Sequence, residues 1–166
     1  MLADLAAAEA ALPALLQDAA GWRSLRIDYH PPVVERLFRP FGDGGRLSLH
    51  RAWPCAPEDA LFHPHPWPSA MRIVSGRYRM IVGHGPGLAT PPVAATLELA
   101  AGSTYTMTDP DAWHAIMPLG GPSLSIMVTG RPWARPQPVE PAAPLRPMDA
   151  ADAEALLAAF QAALGT

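Results

Sequence analysis

Three histidines carry the most legible chemistry in this chain. His63 and His65 stand at i, i+2 within LFHPHPWPSAMRIVSGRY, residues 61–78. Successive side chains of an extended strand point to opposite faces, so i and i+2 share one. Two neutral imidazoles on one face can hold one cation, and imidazole suits Zn, Cu, Fe and Ni. His114, on a later apolar-rich segment, is the candidate third ligand. The plain alternatives are a surface pair in a proline-rich turn for the first two, and a core histidine bonded to a backbone carbonyl for the third.

The elements that must position these residues are short strands. Residues 71–74 and 77–82 are apolar-rich runs with Ser75–Gly76 between them, which reads as a hairpin turn. Upstream, Leu25, Ile27 and Tyr29 alternate with polar residues, Pro31–Pro32 interrupt, and 34–41 reads as another strand. After the turn FGDGGR, Leu47, Leu49, Arg51 and Trp53 alternate with Ser48, His50 and Ala52, a period of two. This puts Arg51 and Trp53 on one face and His50 on the other. Downstream strands are expected at 93–99, 103–108, 113–117 and 124–128, separated by glycine and proline turns. Such spacing predicts an all-β sandwich or barrel over residues 22–130.

Helical patterns flank that region. Residues 1–21 are alanine-rich, with Leu2, Leu5, Leu12, Leu15 and Leu16 at helical spacing, and Pro13 either kinks this helix or opens a second one. Its apolar face suits packing on its own domain, with docking to a partner subunit as the alternative. Residues 131–166 begin with a stretch to 147 that holds six prolines, read as stiff and extended. A last helix follows, with Asp149 as N-cap, Leu156, Leu157, Phe160 and Leu164 as its apolar stripe, and Gly165 as C-cap.

Composition bounds the function classes. The chain has 166 residues, 49% apolar and 16% charged, which fits one globular domain. A net charge of −3 gives no electrostatic reason to expect nucleic acid or an anionic membrane as partner. Cys55 is the single cysteine, so no internal disulfide is possible. With no basic start followed by an apolar run, and no apolar run near the ~20 residues that span a bilayer, the expectation is a cytoplasmic protein without a membrane segment. Sheet edges at a barrel rim commonly need covering, which points to a homodimer.

The order His-x-His, hairpin glycine, a glycine some way on, then a lone histidine resembles the cupin superfamily, whose members are double-stranded β-helix barrels. The first cupin motif is G-x5-H-x-H-x(3,4)-E-x6-G; His63, His65 and Gly76 match its histidines and closing glycine. The second is G-x5-P-x-G-x2-H-x3-N; Gly102 and His114 match, while Pro110-Asp-Ala stands for Pro-x-Gly. The resemblance covers roughly residues 46–129 and implies a cupin barrel with short terminal helices and a divalent metal on His63, His65 and His114.

Two departures bear on the chemistry. The opening glycine is absent, and the motif's glutamate falls at Ser69 or Ala70, neither an anionic ligand. Three neutral imidazoles resemble the site of the thiol dioxygenases, which use Fe(II) to add O₂ to a small thiol carboxylate. Fe(II) is therefore the favoured metal, while Zn, Ni, Mn or Cu would fit three histidines in other geometries. The alternatives are a cupin that binds a metal or metabolite without turnover, and a metal-assisted isomerase or hydrolase. Arg51, Trp67, Tyr105 and Trp113 are the candidates to line the substrate pocket, Arg51 as the cation for a substrate carboxylate; Arg72 and Arg79 are less favoured. His30, His50 and His84 are expected to face solvent.

Overall fold

A computed structural model describes residues 1–87, 89–134 and 143–165. The chain runs through helix α1 (Leu2–Leu15), a 3-10 turn at Ala19–Gly21, and strands β1 (Arg23–Ile27), β2 (Val34–Phe41) and β3 (Gly45–Ala52). Then come β4 (His63–Pro64), β5 (Ser69–Ser75), β6 (Arg77–His84), β7 (Val93–Ala100), β8 (Thr104–Met107), β9 (Ala112–Pro118), β10 (Ser123–Thr129) and helix α2 (Ala150–Leu164). All the expected strands form. The two-residue β4 was not expected as a strand, because Pro64 and Pro66 break any run long enough to show a period.

The strands make two antiparallel sheets. One is ordered β1-β2-β3-β10-β5-β8 and the other β4-β9-β6-β7. At the β5–β6 hairpin Gly76 has φ +78°, and a Cβ there would lie 2.8 Å from the Pro122 carbonyl oxygen, so the position admits only glycine.

Both faces of the six-stranded sheet are covered, and this decides where polar residues go. Leu37, Leu47, Leu49, Leu124, Ile126 and Val128 form the outer face. They pack against Leu5, Ala8, Leu12 and Leu16 of the N-terminal segment and against Leu156 and Phe160 of α2. The apolar stripe of α1 is thus spent on its own domain. Pro13 sits inside α1, which runs on to Leu15. In α2 the stripe is narrower than expected, since Leu164 is exposed, and Asp149 makes no side-chain cap bond, while Gly165 closes the helix in the left-handed region. The inner face carries Ser48, His50, Ser125 and Met127 toward the other sheet. A smaller cluster of Ile73, Tyr78 and Met80 fills one part of the space between the sheets.

At the sheet edges, β7 pairs only with β6 among the described residues, and Val93 and Leu97 on it are exposed. The proline-rich stretch lies partly outside the described residues. Where it is described, Arg146 bridges Arg26 of β1 and Leu145 reaches the space between the sheets. No described helix is long and apolar enough to cross a membrane.

Candidate metal centre

The three histidines come from one region of the four-stranded sheet. His63 on β4 lies directly opposite His114 on β9 in the antiparallel register. His65 follows two residues on, its ring 4.6 Å from that of His114 and 5.6 Å from that of His63. One ring nitrogen from each lies within 4.8 Å of the others, and among the described residues these three form the group that could hold a metal ion. No carboxylate belongs to it.

Partners on the outer nitrogens aim the rings. His63 Nδ1 lies 3.0 Å from the Leu61 carbonyl oxygen, which can only accept, so the proton sits on Nδ1 and Nε2 is left as the ligand atom. His65 Nδ1 lies 3.0 Å from Ser69 Oγ. Ser69 thus stands at a position where the cupin motif can have its glutamate and serves as a hydrogen-bond partner of His65. His65 Nε2 and His114 Nε2 face each other at 2.9 Å, while the buried His114 Nδ1 has no hydrogen-bond partner among the described residues.

Burial sets the charge state of the cluster. Desolvation pushes His63 down to about 4 against the opposing bond to Leu61, with the charges of His30 and Arg36 adding to the shift. Burial first, and then the neighbouring imidazoles, hold His65 and His114 well below the usual histidine value. All three rings are neutral near pH 7, the state that metal ligation needs.

The cluster opens into a cavity of about 220 Å³ between the sheets. Much of its wall is apolar, including Ile27, Val34, Leu61, Met71, Ile116 and Met127. Of the pocket candidates, Trp67 lines this cavity, with the Arg46 guanidinium 5.9 Å from its ring. Tyr105 stands behind Met71, its hydroxyl 2.9 Å from the Met71 sulfur and 3.0 Å from the Tyr78 hydroxyl.

Two candidates are corrected. Trp113 neighbours His114 in the strand and so points the other way; its indole N–H donates to the Gly85 carbonyl and its ring packs on Phe62. Arg51 lies on the outer face of β3, ion-paired with the buried Glu35, which also binds Arg26, and its guanidinium covers Trp53. Arg72 and Arg79 likewise pair with Glu9 and Glu98, away from the cavity.

The structure adds residues that the pattern reading left aside. His50 is buried and lines the cavity, and His30 is half-buried at the same wall, so the expectation that both face solvent fails. His84 is exposed, 3.3 Å from Asp109. Arg36 of β2 also lines the cavity, and its Nε donates to His50 Nε2 at 2.8 Å. The available signal was the alternation in β3. Leu47 and Leu49 claim one buried face, and covering by helices on that side turns Ser48 and His50 inward.

No family model matches this chain. No curated protein matches it either. Among solved structures it is similar to the hydroxypropylphosphonic acid epoxidase from S. wedmorenis, at 16% identity and a TM-score of 0.50, over 68% of this chain and 56% of that one. A crystal structure of FeII HppE is similar at 16% identity and a TM-score of 0.50, over 68% of this chain and 57% of that one. This chain spans little more than half the length of those proteins. The likeness, together with the two facing antiparallel sheets, defines the fold class: a cupin-type double-stranded β-helix with short helices at its ends.

Proposed function

We propose that this chain is a metal-dependent cupin enzyme that oxygenates a small molecule, with Fe(II) as the favoured ion on His63, His65 and His114. One observation carries the reading: three neutral imidazoles converge at the wall of a largely apolar cavity with no carboxylate among them.

The residues suit a divalent ion in their spacing. Two Nε2 atoms 2.9 Å apart are spaced like adjacent ligands at right angles on one ion with bonds of about 2.1 Å. Without a cation one of these two nitrogens donates to the other; a cation taking both lone pairs would leave the His114 proton on Nδ1, which has no partner among the described residues. When bound, a divalent ion held by three neutral ligands keeps its positive charge and open positions for substrate and O₂. The chain's own contribution is to hold the imidazoles neutral and aimed, through Leu61 and Ser69, and to keep water low around them with the apolar wall. A small thiol carboxylate is the substrate class that suits such a site, its thiolate a soft ligand. A homodimer joined along the open edge of β7 belongs to the same reading, and a concentration-independent monomer mass in sedimentation would remove that part.

The test is elemental analysis of protein purified without added metal, followed by oxygen-electrode assays of the Fe(II)-loaded protein with thiol carboxylates. The expected result is about one divalent ion per chain, O₂ uptake with at least one such thiol, and loss of both metal and uptake in His114→Ala. Turnover that proceeds without oxygen would replace this reading by an isomerase or hydrolase. Silence on the panel with tight retention of a metabolite would replace it by a binding protein.

A further inference from the structure

One wall residue of the cavity comes from outside the run of chain that builds the rest. Among the described lining residues, all but Leu145 lie between Ile27 and Met127 in the sequence. Leu145 belongs to the stretch that follows β10 and leads into α2. It is half-buried and reaches the cavity, while Pro144 and Arg146 on either side of it are exposed.

Backbone bonds hold it there. The Arg26 amide donates to the Arg146 carbonyl at 2.9 Å, an antiparallel bridge on the side of β1 away from β2. In that register Leu145 stands opposite Ile27, so the two side chains share a face. Ile27 in turn pairs with Val34 of β2. Leu145, Ile27 and Val34 therefore form one apolar row, and all three line the cavity. Two residues past the bridge, the Met148 amide donates to Ser24 Oγ at 3.1 Å, and the Met148 side chain is buried in the cluster on the outer face. The segment is also stiff. Pro144 and Pro147 have fixed φ, and Arg146 is biased to an extended backbone by the proline after it.

The size of the cavity makes one leucine count. Its volume of about 220 Å³ is below the roughly 300–1,000 Å³ usual for small-molecule sites. The row of three offers no hydrogen bond and no charge from its side chains, so it discriminates by length and bulk alone. A stiff, pinned segment gives such a wall a fixed place.

We propose that Leu145 is a specificity-determining residue: it completes the apolar wall beside Ile27 and limits the cavity to ligands with a short aliphatic chain. This deepens the metal-centre reading and rests on it for the identity of the cavity as the substrate site. The limit itself is a property of the wall and needs no metal.

The experiment uses metal-free, full-length protein, with straight-chain primary alcohols from ethanol to octanol as neutral probes. Binding is followed by the methyl signals of ¹³C-labelled Leu145, Met71 and Met127. Each added methylene should tighten binding by about fourfold until the chain fills the cavity, after which affinity stops rising. In Leu145→Ala that break should move to an alcohol roughly two to three carbons longer, since leucine carries that much more chain than alanine. The first alcohols too long for wild type should gain about tenfold or more. In Leu145→Phe, which keeps an apolar side chain and adds bulk, the break should move to a shorter alcohol. Leu97→Ala, on the exposed edge strand β7, should keep the wild-type break.

The same break in wild type and both Leu145 variants, each melting cooperatively, overturns the proposal. So does the absence of saturable binding by every alcohol in the wild-type protein. Failure of the metal reading looks different: the protein would retain no divalent ion while the chain-length limit and its shift in the Leu145 variants persist.

Discussion

Replacing Ser69 by alanine removes one oxygen from a site that is 2% exposed and changes nothing else in bulk. That oxygen lies 3.0 Å from His65 Nδ1 and can accept the proton of this outer nitrogen, which leaves Nε2 with its lone pair free. Without it two outcomes are open to the ring. Either a buried N–H goes unpaired, which costs about 1–3 kcal/mol, or the proton moves to Nε2 and blocks the ligand atom. Both lower metal affinity, and losing such an outer partner typically costs about 10–100-fold, or roughly 1.4–2.7 kcal/mol. Competition of Zn(II) or Co(II) against a chelating dye at pH 7.5 would measure it, with Ser69→Thr as the variant that keeps a hydroxyl. The expected order is wild type, then Ser69→Thr, then Ser69→Ala. An unchanged dissociation constant for Ser69→Ala in a protein that still melts cooperatively would refute the argument that Ser69 orients a ligand.

The remaining predictions concern stability. His50, His63, His65 and His114 are all held below the ordinary histidine value by burial. In the metal-free protein the unfolded chain therefore takes up protons below about pH 6.5 that the folded chain refuses. Their contribution is fully present above that pH and is lost as pH falls toward the His63 value of about 4, at about 1.4 kcal/mol per pH unit for each histidine. Urea unfolding at pH 7, 6 and 5 should show this decline, shallower by one histidine in His50→Gln; a flat profile would count against the burial argument. Phe160 is 0% exposed between α2 and the outer face of the six-stranded sheet, so Phe160→Ala should cost about 3–5 kcal/mol and lower Tm by roughly 6–20 °C in calorimetry. A loss under about 1 kcal/mol would mean that α2 contributes little to the fold.

The sequence by itself determined the strands other than the two-residue β4, because each is a short run bounded by glycine or proline. It also determined the histidine set. The i, i+2 spacing puts His63 and His65 on one side, and the antiparallel register brings His114 opposite His63. What it left open was which face of each strand is the inside. In β3, Leu47 and Leu49 alternate with Ser48 and His50, and alternation alone assigns the polar side to water. Two helices from the far ends of the chain cover the leucine side instead, so both faces are buried. That single fact turned His50 and Arg36 into the cavity and put Arg51 outside on Glu35. A strand's period records only that its two faces differ. Which of them meets the other sheet depends on helices some 30 to 110 residues away in the chain, at α1 and α2, and only tertiary packing decides it.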